Sequence, residues 1–149
     1  MTPISEFRLT RRVHFYETDA AGIVHFSVFF RYMEEAEHAM WRAAGLSIAM
    51  PGAPIGFPRV ATSFDYLQPL RFEDEFDVQL RVTAKTAKSL SYSATIEKDG
   101  TTLARGTLTV ACVRKRPGEP MRGTEIPADI ADRFAVAAPV PGEPDGVDG

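Results

Sequence analysis

The chain predicts an α+β domain in which an antiparallel sheet of about five strands wraps one long central helix. Three observations carry this. A 3.6-residue apolar period is sustained in one stretch, from about Phe26 to Ala44. Period-two alternation marks one stretch before that helix and four after it. The links between the later stretches fall short of the roughly dozen residues a parallel crossover needs, so neighbouring strands run antiparallel.

In the first strand, residues 7–15, Phe7, Leu9, Val13 and Phe15 alternate with Arg8, Thr10, Arg12 and His14, while Arg11 breaks the pattern on the apolar side. A turn follows, Thr18-Asp19-Ala20-Ala21-Gly22. On the helix, Phe26, Phe29, Phe30, Met33, Ala36, Met40 and Ala44 share one arc, and Arg31, Glu35, His38 and Arg42 gather opposite. Gly45 suits the position just past a helix end. Glu37 projects into the apolar arc, where a carboxylate must be paired or protonated. It is either a salt bridge to a neighbouring strand or subunit, or a catalytic group. Glu34 lies at the flank of the arc.

Residues 47–58 hold three prolines and two glycines without a period, so they form a loop, and Ile55 and Phe57 suit it to wall or cover a pocket. The next strand, 59–67, places Val60, Thr62, Phe64 and Tyr66 on one face. Phe76, Val78, Leu80, Val82 and Ala84 define another, and Leu90, Tyr92, Ala94 and Ile96 a third. Lys98-Asp99-Gly100 is a hairpin turn, leading to a last strand from about 101 to 114. Ile126, Ile130 and Phe134, following Pro127, give a short terminal helix. Residues 1–138 thus form one domain, and the acidic Pro/Gly-rich tail 139–149 is expected to be disordered. Open strand edges in so small a sheet need cover, which implies a homodimer.

The net charge of −3 gives no reason to expect nucleic acid. Arg114-Lys115-Arg116 is the densest positive run, either solvated edge charge or a contact to ligand phosphates. A single cysteine, Cys112, excludes an intrachain disulfide, and its apolar surroundings make it a buried structural thiol. No signal segment or membrane span is evident, so a cytoplasmic location is expected. His14, His25 and His38 lie on different faces and support no metal site.

Asp19 is the lone carboxylate between an extended run and a helix entrance. Such an entrance carries unpaired N–H groups and partial positive charge, able to stabilise an oxygen on which negative charge develops. An acid there can attack an acyl carbonyl or simply cap the turn.

The stretch Tyr16-Glu17-Thr18-Asp19-Ala20-Ala21-Gly22-Ile23-Val24, with Phe29 and Glu34 on the helix and Asp65-Tyr66-Leu67-Gln68-Pro69-Leu70, resembles the hotdog-fold thioesterases of the 4-hydroxybenzoyl-CoA thioesterase family over residues 7–113. The resemblance implies hydrolysis of an acyl-CoA thioester, with Asp19 as nucleophile or general base. It implies that backbone N–H groups at Phe26 and His25 polarise the carbonyl, and that Tyr16, Gly22, Phe29, Glu34, Phe64 and Tyr66 shape the pocket. No metal or organic cofactor is implied, coenzyme A being part of the substrate, and assembly is as a homodimer or a dimer of dimers. Two departures concern substrate preference: His25 takes an aromatic slot, and Glu37 stands where arginine is frequent. Two other readings stay open. One is a hotdog dehydratase using His25 with Glu34 or Glu37, although His25-Phe26-Ser27-Val28 lacks the Pro-Gly of that motif. The other is a non-catalytic acyl-CoA-binding module. The acyl group is not legible, since Phe57, Phe64, Tyr66 and Tyr92 suit an aromatic or an aliphatic chain.

Overall fold

The computed structural model describes residues 2–140. Its elements, in chain order, are β1 (Glu6–Arg12), helix α1 (Val28–Ala43), a short β2 (Ile55–Gly56), β3 (Arg59–Tyr66), β4 (Glu75–Lys85), β5 (Ser89–Lys98) and β6 (Thr101–Ala111), then short β7 (Val113–Arg114) and β8 (Arg122–Gly123) and a one-turn helix α2 (Ala128–Ala131). Five strands form one sheet in the order β1-β4-β5-β6-β3, every neighbouring pair antiparallel. The expected tail lies outside the described residues beyond 140.

Strict alternation on β4 and β5 sends Phe76, Val78, Leu80, Val82 and Leu90, Tyr92, Ala94, Ile96 to one buried face. Helix α1 lies against that face, burying Phe29, Tyr32, Met33, Ala36, Met40 and Trp41. The helical arc is therefore real but turned toward Tyr32 and Trp41, the two largest side chains in the core, which the apolar count had left out. Both are polar-tipped and each finds a partner: Trp41 Nε1 donates to Tyr92 Oη at 3.0 Å, and Tyr32 Oη donates to Glu17 at 3.0 Å. Phe26, expected on the arc, instead precedes the helix and is 63% exposed.

Three other expectations shift. The first strand stops at Arg12, because Phe15–Glu17 tighten into a 3-10 turn that leaves Phe15 exposed while Val13 stays buried. The last strand breaks at Cys112, after which β7 leaves β6 to pair with β2 and β8 in a separate three-stranded ribbon. The Cys112 thiol is buried, which pushes its pKa up, and its Sγ faces Glu125 O at 3.8 Å. The 47–58 loop does not cover the pocket described below; Phe57 packs edge-on against Trp41 at 5.0 Å. At the C-terminus, α2 is a single turn, and Phe134 is buried against Trp41 at 5.1 Å.

Strand β3 is the outer edge next to β6, and of its residues only Phe64 is half-buried. The Phe64 ring lies across Gly106, its register partner on β6, where an added Cβ would sit 2.6 Å from the ring. Gly106→Ala is expected to displace that ring and cost about 1–3 kcal/mol. Differential scanning calorimetry checks this: a drop of several degrees in Tm is expected, and an unchanged Tm would show that the ring moves aside freely.

Candidate active site

A narrow hairpin carries Asp19 to the helix entrance. His25 N–H donates to Glu17 O at 2.9 Å, Asp19 N–H to Ile23 O at 2.8 Å and Gly22 N–H to Asp19 O at 3.0 Å, with Thr18 bridged to Val24. Gly22 has φ +82°, so this position is a turn that other residues enter only with strain. Asp19 Oδ1 accepts from Ala21 N–H at 2.8 Å and, more weakly, from Ile23 N–H at 3.4 Å. Its Oδ2 meets no donor among the described residues, so one carboxylate oxygen holds the turn and the other is left for chemistry.

Asp19 opens into a pocket of about 330 Å³ lined by Ile23, Val24, Phe26, Phe29, Tyr66, Leu67, Gln68 and Pro69. The walls are mostly apolar, and Asp19 is the only carboxylate among the lining residues. Tyr66 Oη donates to Phe26 O at 2.7 Å, tying β3 to the helix entrance, and burial raises the phenol's pKa. Phe29 meets Tyr66 edge-on at 5.1 Å, and Phe64 backs both rings from behind.

Of the residues anticipated from sequence, the fold brings Asp19, Phe26, Phe29 and Tyr66 together, with Gly22 in the turn and Phe64 one layer back. Three stand apart. Tyr16 is 77% exposed and packs on His14, away from the lining. Glu34 bonds Arg59 at 3.0 Å and does not line the pocket. His25 stacks on Phe26 at 4.6 Å and pairs its Nδ1 with Ser27 Oγ at 2.7 Å. Its main-chain N–H is already bonded to Glu17 O, whereas the Phe26 N–H has no acceptor among the described residues.

Glu37 is fully buried and takes the salt-bridge alternative. Arg59 of β3 reaches its two carboxylate oxygens at 2.5 and 3.3 Å while also bonding Glu34. Burial raises the Glu37 pKa, and the Arg59 guanidinium opposes that shift without cancelling it. Glu34 and Glu37 are thus held by Arg59, while His25 is engaged at the hairpin end, so the pair a dehydratase would use does not converge within the chain.

Sequence reasoning missed a second buried carboxylate. Glu17 Oε1 accepts from His14 N–H at 2.7 Å, Arg11 Nη1 at 2.8 Å and Tyr32 Oη at 3.0 Å, and Oε2 accepts from Arg11 Nη2 at 2.6 Å. The signal was present: Arg11 on the apolar side of β1 required an inward acid. Burial pushes the Glu17 pKa up, but these donors together hold it below the usual range. No cluster of three or more His, Cys, Asp or Glu suited to a metal occurs among the described residues. Among them, too, no helix is long and apolar enough to cross a membrane.

An antiparallel sheet wrapped on one helix, with an acid at the helix entrance, defines the class of hotdog-fold thioesterases. The family model of the thioesterase-like superfamily matches residues 13–134, and the chain belongs to that superfamily. It is 28% identical over 130 residues to acyl-CoA thioester hydrolase YbgC of Escherichia coli O6:H1, covering 86% of this chain and 95% of that one. Among solved structures, a hypothetical protein from Aquifex aeolicus superposes with a TM-score of 0.80 at 28% identity, covering 87% of this chain and 99% of that one. A gentisyl-coenzyme A thioesterase gives 0.74 at 26% identity, covering 83% and 98%.

Proposed function

We propose that the protein hydrolyses an acyl-CoA thioester to the free acid and coenzyme A, with Asp19 as nucleophile or general base. The observation that carries this reading is Asp19 itself: the one carboxylate lining an apolar pocket at a helix entrance, with one oxygen unengaged. The names of the relatives support the substrate class. The acyl group enters between Phe29 and Tyr66, and the carbonyl oxygen faces the Phe26 N–H. As the carbonyl carbon is attacked, negative charge grows on that oxygen, where a fixed donor in dry surroundings stabilises it most. Thiolate is a good leaving group and needs no strong acid, so a carboxylate and an oxyanion donor suffice without metal or cofactor. Either Asp19 Oδ2 bonds the carbonyl carbon as the C–S bond breaks, releasing the thiolate, and water then cleaves the anhydride, or it takes the proton of a water whose oxygen bonds the carbonyl carbon as the C–S bond breaks. In both routes one water is consumed: its hydroxyl ends on the acyl carbon, and its other proton balances the one taken up by the released thiolate.

The assembly we propose is a homodimer, or a dimer of such dimers, formed across β3. This edge strand leaves its backbone unpaired on one side and exposes Val60 and Tyr66, with Leu67 exposed just past its end. Sedimentation equilibrium is expected to return the mass of two or four chains, and a monomer at micromolar concentration would sink the assembly. In the β7–β8 ribbon, Arg114, Arg116 and Arg122 line a groove with Glu119, and none of the three arginines is in an ion pair among the described residues. With Lys115 they suit the phosphates of the substrate's nucleotide end.

The test is free-thiol release from a panel of aromatic and aliphatic acyl-CoAs. Release is expected from at least one class. No release, with the acyl-CoAs still raising Tm, would overturn hydrolysis in favour of a binding module.

A further inference from the structure

We propose that Glu17 is a positioning residue for Asp19, the central member of a buried Arg11–Glu17–Tyr32 clamp that fixes the catalytic hairpin against the helix entrance; this rests on the thioesterase reading above. Only Glu17 and Glu37 are buried acids in the described chain, at 5% and 0% exposure. Glu37 is explained by Arg59 and lies about two and a half helical turns from the entrance. Glu17 stands two residues before Asp19 and takes no part in the pocket lining.

Its bonds reach three elements at once. Arg11 delivers both terminal nitrogens from β1, and its Nε is in turn held by Glu35 of α1 at 2.9 Å. Tyr32 delivers its hydroxyl from the first half of α1, and the Arg11 guanidinium lies 4.7 Å over the Tyr32 ring. The His14 N–H closes the 3-10 turn onto the same carboxylate. The main chain of Glu17 adds the fourth link, since its carbonyl accepts from His25 N–H at the base of the hairpin. Strand, helix, turn and hairpin base therefore converge on one residue.

That convergence has a consequence for the reaction. Asp19 lies inside the hairpin whose base is Glu17–His25, and the Phe26 N–H follows that base on the way into α1. Any tilt of the base relative to α1 moves the carboxylate against the oxyanion donor. A misplacement of about 1 Å can cost on the order of 100-fold in rate. A carboxylate taking four donors in a bidentate Arg geometry resists such tilt, because each donor loses its partner if the residue moves.

The experiment compares Glu17→Gln, the double variant Arg11→Met/Glu17→Met, and Val78→Ala as a buried core control on β4 that is neither in the clamp nor in the pocket lining. Steady-state kinetics use whichever acyl-CoA the wild type hydrolyses best, and amide correlation spectra follow Ala21 and Ile23, whose N–H groups report on Asp19 Oδ1. For Glu17→Gln, kcat is expected to fall about 10–100-fold with KM within about threefold. The amide signals of Ala21 and Ile23 are expected to shift. Glu17→Gln should lower Tm, and removing both charges should recover part of that loss, since a buried ion pair is often replaced by apolar side chains at little cost. The remainder is set by Tyr32 Oη and the His14 N–H, which lose their acceptor, while kcat stays low. Val78→Ala should lower Tm and leave kcat unchanged. Recovery of kcat along with Tm in the double variant would reduce Glu17 to a stability role and overturn the proposal, as would unmoved Ala21 and Ile23 signals in Glu17→Gln. No thiol release by wild type would instead defeat the thioesterase reading, and the amide signals would then decide the clamp alone.

Discussion

Asp19→Asn is expected to lower thiol release by at least ~100-fold while the protein stays folded, the usual scale for a positioned acid/base group. The substitution is close to isosteric. Its carbonyl oxygen can still accept from Ala21 N–H at the 2.8 Å geometry of Oδ1, so the turn that presents residue 19 keeps its internal bond. What changes is the other atom. Oδ2, without a donor among the described residues, becomes an NH2 that can neither bond a carbonyl carbon nor accept a proton from water. The loss is therefore expected in kcat, with KM altered little, because the apolar walls that hold the acyl group are untouched. Parallel assays of wild type and variant decide it, and turnover near wild type would remove Asp19 from the chemistry.

The largest effect on stability is expected from Arg59→Met. It leaves Glu37, at 0% exposure, without the guanidinium that bonds both its oxygens, with His38 Nε2 at 3.9 Å as the remaining basic neighbour. Breaking one half of a buried pair costs about 3–5 kcal/mol, and about 3 is expected here because the Arg59 side chain is 30% exposed and already solvated in part. The sign with pH follows from Glu37. Its folded-state pKa lies above the ordinary 4.5, so the folded protein holds this proton more tightly than the unfolded chain. Its contribution is fully present below that value and is lost as pH rises through the folded pKa. Without Arg59 the folded pKa moves higher still, and the loss deepens. The deficit of Arg59→Met against wild type is expected to be largest at neutral pH and to shrink as pH falls toward 4.5. Urea denaturation at pH 7 and pH 5 measures both. An equal deficit at the two values would mean that packing, and not the unpaired carboxylate, sets the cost.

The two buried acids show how far the sequence could be read. Glu37 announced itself, because a charge on an apolar helical arc has to be answered, but nothing in the chain order said that the answer was Arg59 on the strand after the loop. Glu17 was invisible as a buried group, since three residues on either side give no period. Only Arg11, inward on β1, pointed to it. Tyr32 and Trp41 were left off the helical arc because their polar atoms disguise side chains that are mostly apolar, and both proved to be core once Glu17 and Tyr92 satisfied those atoms.

By itself the sequence determined the elements whose signals are local. The alternation of β4 and β5, the Asp99-Gly100 turn and the 3.6 period of α1 each depend on near neighbours, and the turn motif around Asp19 is itself a local pattern. Only the tertiary structure decided which side chains meet. It moved Tyr16 and Glu34 out of the pocket lining, turned Phe26 from the helix core to the pocket wall, and spent the His25 N–H on Glu17. Those outcomes depend on the angle at which the hairpin docks on α1 and on where β3 lies beside β6. Both are set by contacts between residues far apart in the chain, and no local period encodes them.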